Sequence, residues 1–168
     1  MKSHKRMNLI YSLILTAVAV FSGCDRSISE YRAGNEAERE IISVLTQYQD
    51  AKNQFDMEKL LFLLHDKGKF SFACGMMVSK SELKKVLPVF WAEMTSEKLG
   101  IVPMAHECLN GDYYKSGELK NPEIRIHNDT AKATVRFTKR FSSSLLLYFS
   151  MVRENDRWLI TRTEWGPS

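Results

Sequence analysis

Two apolar segments near the C-terminus, separated by an Asn-Asp pair, constrain the fold more than any other part of the chain. The first segment covers residues 144–153 and the second covers residues 157–165. Asn155 and Asp156 lie between them, and these residue types adopt positive φ angles more readily than most, as a tight two-residue hairpin turn requires. We therefore predict an antiparallel β-hairpin with its turn at Asn155 and Asp156.

The turn position fixes which residues of the predicted hairpin face each other. Counting outward from the turn gives the pairs Glu154–Arg157, Arg153–Trp158, Val152–Leu159, Met151–Ile160 and Leu146–Trp165. Residues 145–152 are apolar at almost every position, which is typical of a central strand that is covered on both faces. We interpret this hairpin as scaffold rather than as a functional site.

A second Asn-Asp pair predicts another hairpin. Asn128 and Asp129 separate residues 124–127 from residues 130–138, and the same turn rule places Ile126 opposite Ala131 and Ile124 opposite Ala133. In the second strand apolar and polar residues alternate, which indicates a half-buried antiparallel strand.

Helices are predicted in the N-terminal half. Asn35 and Glu38 form a capping-box pattern before apolar residues with helical spacing, namely Ile41, Leu45, Tyr48 and Phe55. Asp56 is the predicted N-cap of a short helix over residues 57–64, which ends at His65 and Asp66. Ser79 and Glu82 form a second capping box, and the helix that follows contains Pro88, which is expected to kink or split it.

The remaining elements complete an α+β order. We predict a short strand over residues 69–73, a strand around residues 101–108 and a loop through residues 110–112. Helices that are separated along the chain from an antiparallel sheet make an α+β fold. We expect about three N-terminal helices inside a curved, mainly antiparallel sheet.

The N-terminus has the pattern of a secretory signal peptide. Lys2, Lys5 and Arg6 precede an apolar run over residues 7–21, which is short for a membrane span. Cys24 follows Ser22 and Gly23, and this arrangement resembles the lipobox of bacterial lipoproteins, although Phe21 replaces the usual leucine. The resemblance implies cleavage between Gly23 and Cys24 and acylation of Cys24. An ordinary cleaved signal peptide and an uncleaved anchor are the alternatives.

These observations divide the chain into three parts. We predict a signal peptide over residues 1–23, a lipidated cysteine with a flexible tether over residues 24–34, and one folded domain over residues 35–168. The lipoprotein interpretation places this domain in the bacterial cell envelope, attached to the membrane by acyl chains on Cys24. The domain is expected to face the periplasm or the cell exterior. The sequence does not decide between the inner and the outer membrane.

The charge and the cysteines indicate which classes of partner and binding site to expect. The formal net charge is +4, and residues 1–23 contribute three basic and no acidic side chains, so the remainder has 21 basic and 20 acidic residues. No basic stripe with interleaved aromatic residues is present, and we expect no nucleic-acid partner. Cys74 and Cys108 form either a disulfide or two free thiols, and neither belongs to a metal-binding motif. We expect no metal and no cofactor.

The element order, residues 48–75 and the closing residues 157–160 resemble the nuclear-transport-factor-2-like superfamily, also called SnoaL-like or ketosteroid-isomerase-like. The resemblance implies a cone, with a bent sheet wrapped around helices and often open to a pocket. Tyr48 corresponds to the tyrosine that stabilises the enolate oxygen in the steroid isomerases of this superfamily. Phe72 occupies the position of their carboxylate base, and Ala73 replaces the proline that follows it, so we predict no catalytic residue of this type.

Two functions follow from these expectations. The first is a non-catalytic envelope lipoprotein whose cone binds a small apolar ligand or a protein partner. The predicted pocket residues are Tyr48, Phe72, Phe90, Trp91, His106 and Tyr113, whereas a cone filled by Phe62, Phe72, Phe90 and Trp91 would favour a protein partner. The second is an exported isomerase, dehydratase or hydrolase-like enzyme with an acid or base near Tyr48, namely His106, Glu107, Asp112 or Glu164. A homodimer through Leu146, Tyr148 and Trp165 is also expected.

Overall fold

A computed structural model describes residues 25–72, 76–95, 117–138 and 145–167. These residues form three α-helices, six β-strands and one 3-10 turn at Ile28–Glu30. In chain order the elements are α1 (Glu36–Asn53), α2 (Met57–Leu63), β1 (Leu64–Ser71), β2 (Met77–Ser79), α3 (Lys80–Thr95), β3 (Glu118–His127), β4 (Thr130–Thr138), β5 (Leu145–Glu154) and β6 (Arg157–Pro167).

The six strands form one curved sheet in the order β2-β1-β6-β5-β4-β3. Every neighbouring pair is antiparallel except β1 and β6, which are parallel. The buried side chains of the three helices and of one sheet face belong to a single hydrophobic core. This arrangement confirms the predicted α+β fold with a mainly antiparallel sheet. Among the described residues, no helix is both long and apolar enough to cross a membrane.

The C-terminal hairpin has the predicted turn, and its register changes along the strands. Near the turn, Glu154 pairs with Arg157 and Met151 pairs with Ile160, as predicted. Ser150, however, pairs with Arg162, so a β-bulge inserts one extra residue, Thr161, into β6. Beyond this bulge, Leu147 faces Trp165 and Leu146 faces Gly166. The predicted Leu146–Trp165 pair is therefore wrong by one residue, because a turn sets the register only as far as the first bulge.

The central position of β5 is confirmed, and its predicted coverage on both faces is wrong. β5 lies between β4 and β6. Leu147, Phe149 and Met151 point into the core, whereas Tyr148, on the opposite face, is 39% exposed. The described helices cover the inner face of the sheet, so the apolar run of β5 is buried on that side, whereas Tyr148 on the other side is partly exposed.

The second hairpin also has the predicted register near its turn. Ile126 pairs with Ala131 and Ile124 pairs with Ala133. β3 is longer than predicted, because it begins at Glu118 and passes through Pro122. The register shifts between Lys120 and Glu123, which accommodates the proline without a ladder hydrogen bond.

Both ends of α1 have identifiable caps. The backbone N–H of Glu38 donates to Asn35 Oδ1 at 2.9 Å, as predicted, but the Glu38 carboxylate accepts from the N–H of Gly34 rather than from that of Asn35. The expected reciprocal capping box is therefore displaced by one residue. At the other end the Phe55 N–H donates to the Lys52 carbonyl, and Phe55 has φ 55°, a left-handed conformation that terminates the helix.

The short helix α2 starts after Asp56, whose side chain accepts from the N–H of Lys59, as predicted. It ends at Leu63, and His65 and Asp66 belong to β1 rather than to a helix end, so that prediction is wrong. Helix α3 begins after the predicted pair of Ser79 and Glu82, each of which accepts a hydrogen bond from the backbone N–H of the other. The helix continues through Pro88 and is not split.

The segment that precedes α1 packs on the sheet. Ser27 forms a β-bridge with Lys120, and the Ile28 side chain is completely buried in the core. The Asp25 carboxylate accepts from Asn121 Nδ2 at 2.9 Å and from Arg136 Nη1 at 3.2 Å. This part of the expected flexible tether is therefore docked, because burial of Ile28 and the hydrogen bonds to β3 hold it. The predicted strand at 101–108 and loop at 110–112 lie outside the described residues.

Candidate functional site

A lysine lies inside the cone, among aromatic rings. Lys52, from the last turn of α1, is 2% exposed. Its Nζ lies 4.6 Å from the centre of the Phe137 ring and 5.4 Å from the centres of the Tyr48 and Trp165 rings. Aromatic faces attract a cation, but burial disfavours the charged form, and here burial lowers the pKa of Lys52 to about 7. At neutral pH this amine is therefore present in both protonation states.

Tyr48 lies one helical turn before Lys52, on the same face of α1. It is 2% exposed, and its ring contacts Phe149 edge to face, with ring centres 5.1 Å apart. Burial raises the pKa of the Tyr48 hydroxyl, which therefore stays protonated and able to donate a hydrogen bond. Two polar groups, an amine and a hydroxyl, thus enter the apolar interior from a single helix.

Lys52 is not among the site residues predicted from the sequence, although the sequence contains a signal for it. Ile41, Leu45 and Tyr48 define the buried stripe of α1, and position 52 continues that stripe at helical spacing. A charged residue at a position that the pattern assigns to the core is a candidate functional residue, because burying a charge is costly. The aromatic partners Phe137 and Trp165 come from strands far along the chain, and only the fold brings them together.

Three of the predicted pocket residues besides Tyr48 are described, and all three are buried. Phe72 follows β1, and its ring contacts Phe90 of α3 edge to face, with centres 5.8 Å apart. Trp91 contacts Phe55 in the same manner at 5.5 Å. Phe72 therefore packs as a core aromatic residue at the position where the isomerases of the resembling superfamily have their base. The predicted site residues outside the described part are Gly23, Cys24, Cys74, His106, Cys108 and Tyr113.

Two residues that were expected near the interior lie elsewhere. Glu164, a proposed acid or base near Tyr48, faces Tyr148 on the outer side of the sheet and forms an ion pair with Arg162. Phe62, whose presence inside the cone would have favoured a protein partner, is 60% exposed, and the Arg157 guanidinium stacks over its ring at 3.8 Å. Each of these residues lies on the side of its strand or helix that points away from the core, so neither belongs to the site.

The described helices also line surface grooves, two of which include Phe62. One, of about 490 Å³, lies between α1 and α2 and includes Gln47 and Glu58. The other, of about 480 Å³, lies between α1 and the β5–β6 hairpin and includes Glu40 and Trp158. Phe62 lines both. Their walls mix acidic, basic and apolar side chains and indicate no particular ligand.

Two of the three residues predicted for the homodimer face lie on the outer face of the sheet, and the third does not. Tyr148 and Leu146 lie on the outer face of β5, as the alternation of the strand requires. Trp165 faces Leu147 and packs edge to face on Phe137 at 5.4 Å, so it belongs to the inner face. The one-residue bulge at Thr161 is the reason for this change. The homodimer itself stays a prediction.

No three His, Cys, Asp or Glu side chains come together in a potential metal site within the described part of the chain. The Lys80–Asp66 ion pair lies at the surface, and Lys80 lowers the pKa of the Asp66 carboxyl.

No protein-family model matches this chain, and no curated protein matches it. Solved structures do. An NTF2-like protein from Cytophaga hutchinsonii has a TM-score of 0.57 at 15% identity, over 80% of this chain and 99% of its own. A protein of unknown function with a cystatin-like fold from Nostoc punctiforme has a TM-score of 0.56 at 14% identity, over 78% of this chain and 92% of its own.

A candidate ketosteroid isomerase from Shewanella frigidimarina is also similar, with a TM-score of 0.52 at 19% identity, over 74% of this chain and 92% of its own. Structural similarity at sequence identities this low establishes the fold and does not establish the activity. The curved six-stranded sheet, the helices on its inner face and these similarities agree with one another. The chain has the α+β cone fold of NTF2-like proteins.

Proposed function

We propose that this protein is a membrane-anchored lipoprotein of the bacterial cell envelope whose cone binds a small apolar ligand that carries an anionic or hydrogen-bond-accepting group. The observation that carries the ligand proposal is the position of the Lys52 amine among the rings of Tyr48, Phe137 and Trp165. Small-molecule sites are mostly apolar, with a few polar groups that orient the ligand. Lys52 and Tyr48 are polar groups of this kind.

The chemistry of the two groups defines the ligand class. A protonated Lys52 donates to a carboxylate, sulfonate or phosphate oxygen, and the Tyr48 hydroxyl donates to the same or a neighbouring oxygen. The rings of Phe137 and Trp165 contact the apolar body. Residues with a shifted pKa are concentrated at functional sites, and the lowered pKa of Lys52 supports this assignment.

Binding of 1-anilinonaphthalene-8-sulfonate, an apolar anion, tests the ligand proposal. We expect the detergent-solubilised chain to bind this probe more tightly at pH about 6 than at about 8, because Lys52 loses its charge as the pH rises through its lowered pKa. Lys52→Met should weaken binding and remove the pH dependence, whereas Lys59→Met, on the exposed surface of α2, should change neither. Equal binding by wild type and Lys52→Met would contradict the proposal.

The anchoring proposal follows from the sequence around Cys24. A basic start, an apolar run and Ser-Gly-Cys together resemble a lipoprotein signal, and acyl chains on Cys24 give stable membrane attachment. The decisive measurement is the intact mass of the chain isolated from its native membrane, for wild type and Cys24→Ala. We expect a wild-type mass that corresponds to residues 24–168 plus acyl chains, and its loss in the variant. An unmodified mature chain in both cases would contradict the proposal.

A second candidate function is catalysis by the same interior groups. Phe72 cannot accept a proton, but a partly neutral Lys52 amine can, with Tyr48 as the donor to a developing enolate oxygen. This arrangement would suit proton transfer next to a carbonyl group. The test is exchange of the α-hydrogens of 2-tetralone, an apolar ketone, for deuterium, followed by NMR. Exchange above background that disappears in Lys52→Met would favour an enzyme, and binding without exchange would favour the non-catalytic function.

A further inference from the structure

We propose that the outer face of β3 and β4 lies against the anionic headgroups of the membrane to which the chain is anchored. This inference depends on the membrane anchoring proposed above and adds an orientation and a lipid class. It rests on three observations: a row of cations across the outer face, cross-strand pairs of like charge within it, and the docked position of Asp25, the residue that directly follows Cys24.

The cations follow a single row across the sheet. Arg125 of β3 faces Lys132 of β4, which faces Ser150 of β5, which faces Arg162 of β6, which lies beside Lys69 of β1. Side chains at paired positions share one face of a sheet, and all four basic residues in the row are exposed. Four positive charges are therefore aligned on the side of the sheet that the helices leave uncovered.

Two cross-strand pairs on β3 and β4 consist of like charges. Arg125 faces Lys132, and Lys120 faces Arg136. Like charges directly opposite each other destabilise a sheet unless something compensates them. Glu118 lies 3.5 Å from Lys120, and Asp25 lies 3.2 Å from Arg136, but within the described residues no carboxylate lies within 4.0 Å of Arg125 or Lys132. An anionic surface would supply the missing compensation.

The chain enters the domain at this face. Asp25, which follows Cys24 in the sequence, accepts hydrogen bonds from Arg136 and Asn121 and so lies at the outer face. The β-bridge between Ser27 and Lys120 and the burial of Ile28 fix this segment on the domain. They therefore restrict rotation of the domain relative to its membrane attachment point. An acylated Cys24 and an uncleaved apolar segment would both attach the membrane to the part of the sequence that directly precedes Asp25.

A lipid surface fits this face better than a second copy of the chain does. A symmetric dimer through β3 and β4 would bring the two Arg125–Lys132 pairs close together, and these like charges would repel each other. The carboxylates on this side include Asp25, Glu118, Glu123 and Glu164. Asp25 pairs with Arg136, Glu118 with Lys120 and Glu164 with Arg162, whereas no carboxylate among the described residues lies within 4.0 Å of Arg125, Lys132 or Lys69. Basic residues near a membrane attachment point are attracted to anionic lipids in a manner that salt weakens.

Lysine footprinting of the full chain tests the orientation. The chain is purified in neutral detergent from its native membrane and reconstituted in vesicles of phosphatidylcholine alone or mixed with phosphatidylglycerol. An amine-reactive ester then labels exposed lysines, and mass spectrometry compares Lys132 and Lys69 of the row with Lys59 and Lys84 of the helices. We expect severalfold less labelling of Lys132 than of Lys84 on the phosphatidylglycerol vesicles only, and recovery at about 1 M salt, where charge interactions extend about 3 Å.

The matched variants separate charge from fold. In Arg125→Glu/Lys132→Glu the protection of Lys69 should fall, whereas Lys84→Glu/Lys85→Glu, two exposed positions on α3, should leave it unchanged. Equal labelling of Lys132 and Lys84 on every vesicle would overturn the proposal, and so would protection that persists in detergent, which would indicate a second copy. Retention of the chain in carbonate-washed membranes is measured in parallel, so that failure of the anchor is distinguished from failure of the orientation.

Discussion

The Lys52 amine lies 4.6 Å from the centre of the Phe137 ring, so the end of α1 is held against the end of β4 inside the cone. A lysine at this depth is costly, because its charged form loses its hydration. The aromatic rings recover part of that cost through attraction to the ammonium. The interior of this cone is therefore chemically different from a purely apolar core.

Burial of Lys52 predicts a specific dependence of stability on pH. Its pKa is about 7 in the folded state, against 10.5 for a solvent-exposed lysine, so between these values the unfolded chain binds more protons than the folded chain. The free energy of unfolding should rise by a few kcal/mol between about pH 7 and 9. Below about pH 7 Lys52 is protonated in both states, so its destabilising effect is then complete. Tyr48 does not interfere, because its raised pKa lies above this range.

The variant Lys52→Met should lose this rise, because the amine that titrates is removed. The measurement is chemical denaturation of the detergent-solubilised chain, followed by the fluorescence of its three tryptophans. Lys59→Met, at an exposed position, serves as the control. Parallel pH profiles for wild type and Lys52→Met would mean that Lys52 is not desolvated.

Docking of the N-terminal segment predicts that Ile28 contributes to stability. Its side chain is completely buried, and Ile28→Ala should lower the free energy of unfolding by about 2–4 kcal/mol through lost burial and a cavity. Arg26→Ala, two residues earlier and exposed, should change it by less than about 0.5 kcal/mol. Denaturation curves of the two variants check this, and a negligible effect of Ile28→Ala would show that the segment is detached from the domain.

The two hairpin turns predict opposite responses to glycine. Asp156 has φ 58°, whereas Asp129 is not among the residues with positive φ. Glycine adopts positive φ without steric cost, so Asp156→Gly should stabilise the chain by about 0.5–1 kcal/mol. Asp129→Gly should be neutral or destabilising, because it only adds freedom to the unfolded chain. Thermal unfolding of both variants tests the difference, and an equal gain at both positions would contradict it.

Glu40 joins α1 to the C-terminal hairpin. Its carboxylate accepts from Trp158 Nε1 at 3.1 Å and lies 3.5 Å from Arg153 Nη2. Glu40→Ala should cost about 1–3 kcal/mol, because the indole N–H of the buried Trp158 would lose its acceptor. Glu40→Gln keeps an acceptor and should cost less, and Glu36→Ala, on the exposed face, is the control. The order of the unfolding midpoints decides whether this contact stabilises the fold.

Much of the fold was predictable because it depends on local stereochemistry. Asn155 and Asp156 accept positive φ, so the turn and the register next to it were correct. Asn35, Asp56 and Ser79 have side chains that bind backbone N–H groups, so the three helix starts were correct as well. Each of these signals acts over a few residues and needs no knowledge of the rest of the chain.

The wrong predictions concern positions whose structure depends on residues that are distant along the chain. The bulge at Thr161 shifts the partner of Leu146 from Trp165 to Gly166 and moves Trp165 to the inner face. Burial of Ile28 against the sheet turns an expected tether into part of the domain. Nothing within a few residues of either position reveals the change, because the energy comes from packing against other elements.

The candidate site shows the same division. The spacing of apolar residues in the sequence is enough to assign position 52 to the buried stripe of α1, because helical spacing is a local property. The contacts of Lys52 with Phe137 and Trp165 follow from the fold alone, since these residues come from strands more than 80 residues away along the chain. Backbone preferences are set by neighbours along the chain, whereas desolvation and aromatic contact depend on the residues that the fold places nearby.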